Sequence, residues 1–130
     1  MTTKRIIKWV LLIIWMLIIF VFSHQAYSGE TTHSILEVIF PSISQSSNID
    51  ILNFIVRKTA HITEYLILTL ITISLLKEYT KEEKIIILLS IIICFTYACT
   101  DEIHQAFIPG RSSLFNDVLI DTLGGLIASI

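Results

Sequence analysis

The sequence predicts an all-α polytopic membrane protein, a bundle of four transmembrane helices with an outer loop or short interfacial helix between the first and second. Three observations predict it. The 130 residues are 54% hydrophobic at a mean hydropathy of +0.78, too apolar for a soluble domain of this size. Four apolar stretches, residues 6–22, 55–76, 85–98 and 114–130, approach the roughly 20 residues that cross about 30 Å of hydrocarbon, the third only if it continues towards Ile103. Lys and Arg gather at the ends expected to face the cytoplasm. One integral membrane domain, residues 1–130, accounts for the whole chain.

In the first element, Lys4, Arg5 and Lys8 surround the start of an apolar run. A secretory signal begins the same way, but its core is only about 7–15 residues and ends at a small-x-small cleavage site. Here the run is longer and ends in Phe22-Ser23-His24-Gln25, so it reads as a retained span. The connection that follows carries Glu30, Glu37 and Asp50 and no Lys or Arg between Ser23 and Asn53, which suits the outer side. Within it, Ile35-Leu36-Glu37-Val38-Ile39-Phe40 is modestly amphipathic and is broken by Pro41; such a stretch lies along the interface or caps the bundle. Ser47 followed by Asp50 resembles a capping box and puts the start of the second helix near Asn48.

Lys77, Lys81 and Lys84 occupy the connection between the second and third spans, which returns it to the cytoplasm and leaves both termini there. Cys94 and Cys99 fall on one helix with side chains about 140° apart, so no disulfide joins them. Pro109-Gly110 makes a turn, and Ser112 or Ser113 is placed to cap the fourth helix. A formal net charge of −2, with no basic stripe outside the membrane flanks, excludes a nucleic-acid binder.

The spans carry costly polar groups, and these cluster at one end. Arg57, His61 and Glu64 share one face of the second helix and reach roughly 10 Å into it at ~1.5 Å per residue. Asp101, His104 and Gln105 lie on one side of the third helix at its outer end. Asp117 and Asp121 are i,i+4 neighbours in the fourth, and Gln25 closes the first at the same level. Gly124 and Gly125 continue the Asp117–Asp121 face, which lets the fourth helix approach its neighbours closely. Lys58 and Glu102 lie off these faces and read as solvated, headgroup-level charges. One outward-opening polar pocket is the economical arrangement, because ionisable groups inside hydrocarbon are expensive unless they work or lock helices together.

Carboxylates beside a histidine supply general acid and base, with His61, Glu64, Asp101 and Asp117 as the candidates. Arg57 and Arg111 suit a phosphate or carboxylate, and His104, Gln105, Asp121 and Gln25 complete a binding set. The His/Asp/Glu set could also hold a divalent metal, but no His-Glu-x-x-His motif or comparable ligand pair is present, so the spacing evidence for one is weak; the sequence leaves any cofactor unknown. The same residues fit two other readings: a non-catalytic module that grips a lipid or an antibiotic's lipid tail, and a polar lock that only fixes helix register. Proton-coupled transport fits less well, because Thr69, Thr72 and Ser74 are the main polar groups in the inner halves of the first three spans.

At these residues the chain resembles the VanZ-like family of small bacterial membrane proteins. The matching pieces are Phe22-Ser23-His24-Gln25, Arg57-Lys58-Thr59-Ala60-His61-Ile62-Thr63-Glu64-Tyr65, Asp101-Glu102-Ile103-His104-Gln105-Ala106-Phe107-Ile108-Pro109-Gly110-Arg111 and Asp117-Val118-Leu119-Ile120-Asp121-Thr122-Leu123-Gly124-Gly125. Two departures are His24, where the family often has a second small residue, and Ile62, where an aromatic is common; neither touches a charged position. The family takes its name from a protein associated with glycopeptide resistance, particularly to teicoplanin. The resemblance therefore implies a multi-pass protein of the bacterial cytoplasmic membrane with a cell-envelope role. The expected partners are membrane lipid, an anionic envelope lipid by the chemistry of Arg57 and Arg111, and a glycopeptide antibiotic by the resemblance; protein partners stay unknown. No reaction comes with it.

Overall fold

A computed structural model describes residues 2–25, 28–43, 48–110 and 115–130. Arg111, the Ser112 and Ser113 caps and the Ser47 half of the capping box lie outside the described residues. Among the described residues the chain forms five helices and no strand: α1 (Thr3–His24), α2 (Ser28–Ile39), α3 (Asn48–Leu76), α4 (Glu83–Gln105) and α5 (Phe115–Ala128).

Helices α1, α3 and α4 are long and apolar enough to cross a membrane. α1 buries only Leu12, Ile19 and Ser23, a single stripe at helical spacing, while Ile6, Ile13, Leu17 and Val21 around it stay exposed. In water such a surface would be penalised, but against acyl chains it is the solvated one. α4 does continue past Ile103, ending at Gln105, and the chain then turns through Pro109-Gly110, where Gly110 takes a left-handed φ of 74°. The described part of α5 is 14 residues, about 21 Å at ~1.5 Å per residue, and the expected start of that span at Leu114 is outside the described residues.

α3 is the central element, packing against all four other helices. Its Tyr65, Leu68 and Leu75 form the core with Leu12 and Ile19 of α1, Cys94 and Ala98 of α4 and Val118 of α5. Thr69 and Thr72 are buried on the same helix, and their hydroxyls donate back to the carbonyls of Tyr65 and Leu68 at 2.9 and 2.8 Å. Back-bonding of this kind satisfies a hydroxyl without a partner helix. Cys94 and Cys99 are both free thiols.

The pairings fix helix directions. Lys8 of α1 donates to the Ser74 carbonyl and pairs with Glu78 at 2.6 Å, while Trp15 donates to the Glu64 carbonyl; rising numbers on α1 meet falling numbers on α3, so the two are antiparallel. Tyr97 donates to the Met16 carbonyl and His104 meets His24, which makes α1 and α4 parallel. His24, Arg57 and His104 consequently share one end of the bundle, and Lys8 and Glu78 mark the other.

α5 seats on α3 through its glycines. A Cβ on Gly124 would stand 2.3 Å from the Ile62 carbonyl oxygen, and one on Gly125 would stand 2.6 Å from Cys94 Sγ. At Gly124 only hydrogen lets the two backbones meet, and at Gly125 it leaves room for the Cys94 and Thr69 side chains, a close approach that the sequence suggests. α2 is a regular helix covering the expected amphipathic stretch and stopping before Pro41. It packs on α3, Asn53 donates to the Gly29 carbonyl at 3.2 Å, and Ile35, Val38 and Ile39 are left exposed.

Candidate functional site

The polar groups at the His24 end sort into two clefts on either side of α3, which share Arg57 and His61. One, about 370 Å³, lies between α1, α2 and α3 and is lined by Ser23, Gln25, Thr32, Arg57, His61 and Glu64. The other, about 480 Å³, lies between α3, α4 and α5, with Asn53, Arg57, Lys58, His61, Gln105 and Asp117 among its lining residues. Glu64 and Asp117, expected in one pocket, therefore face different clefts. Both clefts lie towards the end of the bundle where α3 begins.

Between α3 and α5 the charges form a parallel ladder. Lys58 pairs with Asp117, and one turn deeper His61 Nδ1 lies 3.4 Å from Asp121 Oδ1. The two rungs advance together in sequence, so α3 and α5 run in the same direction, and Gly124 meeting Ile62 is the next step of that register. Asp121 is only 1% exposed, and its Oδ2 has no hydrogen-bond partner among the described residues.

α4 completes the deeper level. Asp101 is buried, and Gln105 Nε2 donates to its Oδ2 at 2.8 Å, an i,i+4 bond that fixes the carboxylate's orientation. Ligand atoms of His61, Asp101 and Asp121 all lie within 4.8 Å of one another. The buried Tyr65 hydroxyl of α3 lies near the Asp101 and Asp121 carboxylates and has no hydrogen-bond partner among the described residues. A low-dielectric pocket with two carboxylates, an imidazole and a phenol can hold and move protons or hold a cation.

His104 takes a different partner from the one its helical phase suggests. Its Nε2 is 3.1 Å from His24 Nδ1, and the two rings stack near Phe20, joining α1 to α4 rather than lining either cleft. Gln25 lines the Glu64 cleft, and Arg111 is outside the described residues.

Two expectations are corrected. Lys58 is not a solvated headgroup-level charge but the partner of Asp117, with its side chain 24% exposed. Glu102 is buried at 4%, not solvated. The reason is the same for both. Helical phase measured against one interior face assumes a single packing direction, whereas α3 meets neighbours on most of its circumference and α4 packs on α1, α3 and α5.

The sequence profile of the VanZ/LLP1 family matches residues 8–130. The chain belongs to the VanZ/LLP1 family. No curated protein and no solved structure matches it. In this VanZ/LLP1 chain the four motif segments singled out from the sequence come together at the His24 end: the first two line the Glu64 cleft, and the last three meet at His61, Asp101 and Asp121.

Proposed function

We propose that this VanZ/LLP1 protein is a four-span protein of the bacterial cytoplasmic membrane that grips the anionic headgroup of an envelope lipid at the outer leaflet. Lower susceptibility to glycopeptides such as teicoplanin is the cellular consequence. α5 is the fourth span, extended by the residues before Phe115. Lys4, Arg5 and Lys8 at one end and Lys77, Lys81 and Lys84 at the same end put that end, and both termini, in the cytoplasm. The clefts then open outward.

The observation that carries this reading is the cleft between α3, α4 and α5, where Arg57 and Lys58 stand beside His61, Gln105 and Asp117. Asp50 also lines this cleft and Lys58 is paired with Asp117, so Arg57 is the cation that takes a phosphate or carboxylate at the depth where headgroups lie. Its volume of about 480 Å³ falls in the range of small-molecule sites. Acid–base turnover is the stronger form of the proposal, with His61 between the two clefts, Glu64 on one side, Asp117 on the other and Asp101 beneath.

A purely structural lock is favoured by two internal satisfactions, Lys58 with Asp117 and Gln105 with Asp101. Incubating the purified protein with labelled envelope lipids, with and without EDTA, separates the readings. Retention of anionic over zwitterionic lipid that is lost in Arg57→Ala supports headgroup binding, and a new product supports turnover. Equal retention of both lipids, unchanged by Arg57→Ala, leaves only the lock.

A further inference from the structure

We propose that His61, Asp101 and Asp121 bind a divalent transition-metal cation, zinc or manganese by ligand type, at the floor of the headgroup cleft. Three helices contribute one ligand each, and no pair of ligands is close in sequence, so motif spacing carries no trace of the site. The geometry carries it. Metal–ligand bonds of about 2.0–2.2 Å in a tetrahedron separate ligand atoms by roughly 3.3–3.5 Å, and His61 Nδ1 to Asp121 Oδ1 is 3.4 Å. All three ligand atoms fall within 4.8 Å of one another, which leaves side-chain adjustment of about an ångström to close the set around an ion.

A second observation points the same way. Asp121 is 1% exposed, yet its Oδ2 has no hydrogen-bond partner among the described residues. A buried carboxylate oxygen without a donor is costly, and here it sits with a second buried carboxylate. A divalent ion held by both oxygens of Asp121 supplies the missing partner and offsets the two carboxylate charges. Gln105, donating to Asp101 Oδ2 at 2.8 Å, is the outer hydrogen bond that commonly orients a ligating carboxylate.

One imidazole with two carboxylates suits zinc or manganese better than calcium or magnesium, which favour all-oxygen sets. Three protein ligands leave a fourth position open, and because His61 also lines the cleft, that position suits water or a phosphate oxygen. The inference deepens the headgroup reading and shares His61 with it, whereas Asp121 belongs to the cation site alone.

The test is metal content of the full-length protein in detergent, incubated with Zn²⁺ or Mn²⁺, passed through gel filtration and measured by mass spectrometry. The expected result is about one ion per chain, abolished in His61→Gln and Asp121→Asn and unchanged in Glu82→Gln at the far end. Gln105→Ala lowers affinity about 10- to 100-fold. Helicity and elution volume identify variants that fail to fold, and EDTA then lowers the wild-type melting temperature. Wild-type protein that retains no ion, or ions retained equally by His61→Gln and Asp121→Asn, overturns the site. Bound metal without lipid selectivity keeps the cation site and removes the headgroup reading; lipid selectivity without metal does the reverse.

Discussion

His61 Nδ1 on α3 stands 3.4 Å from Asp121 Oδ1 on α5, one helical turn below the Lys58–Asp117 pair. That register depends on backbone approach further along, at Gly124. A Cβ there would meet the Ile62 carbonyl oxygen at 2.3 Å and the Leu66 nitrogen at 3.0 Å, and backbone atoms cannot swing aside as a side chain can.

Gly124→Ala is expected to destabilise the bundle by about 1–3 kcal/mol, the range for forced overpacking. At Gly125 the obstacles are side chains, Cys94 Sγ at 2.6 Å and Thr69 Oγ1 at 3.0 Å, so Gly125→Ala should cost less and be relieved by Cys94→Ala. Thermal unfolding in detergent reads both effects. An unaltered melting temperature for Gly124→Ala would mean that α3 and α5 are further apart than described.

Lys58 and Asp117 are expected to be coupled. Each is partly buried, at 24% and 15% side-chain exposure, between the weak surface pair and the fully desolvated one, so a coupling of about 1–3 kcal/mol is expected. Lys58→Met and Asp117→Leu should each destabilise more than the double substitution, because each single change strands a charge. Additive effects in the double-mutant cycle would show that the pair contributes nothing.

Much of this architecture is legible in the chain, and the exceptions have a common cause. The three long spans, the start of α3 at Asn48, the passage of α4 beyond Ile103, the turn at Pro109-Gly110 and the close glycine seam all follow from local pattern. So does the gathering of Arg57, His61, Asp101 and Asp121 at one end of the bundle. What local pattern does not carry is which residue meets which across helices. Asp117 and Asp121 share a face yet take different partners, Lys58 and His61. Glu102 is buried on a face that phase alone assigns to solvent, and His104 leaves the clefts for His24. These choices depend on the rotation of each helix against several neighbours at once, a quantity no single helix encodes.

At the opposite end, Glu78 provides a pH-dependent tie. The hydrogen bond from Lys8, reinforced by its charge and those of Lys4 and Arg5, holds the Glu78 carboxyl below its ordinary value of 4.5. A depressed folded-state pKa stabilises the fold fully above the unfolded value, and that contribution fades as pH falls through the folded one. The melting temperature of wild type should therefore drop more steeply below about pH 4.5 than that of Glu78→Gln. Parallel curves for the two proteins would dismiss the tie.

Arg57 lines both clefts, so it should govern headgroup selectivity more than any other cation at that end. Arg57→Ala is expected to weaken anionic-lipid binding about tenfold or more, and Arg57→Lys to restore only part of it, since an ammonium cannot make the paired contacts of a guanidinium. Native mass spectrometry of lipid-bound protein gives the ratio. Full recovery with lysine would reduce the role of Arg57 to net charge.

The most direct test of the headgroup cleft is to map where an anionic lipid with a photoreactive headgroup attaches. Labelling should concentrate on Phe54, Lys58, Asn116 and Ile120, which line the cleft between α3, α4 and α5, and should be displaced by unlabelled anionic lipid but not by a zwitterionic one. Labels spread evenly over the exposed apolar faces of α1 and α4, with no preference for those four positions, would contradict the account.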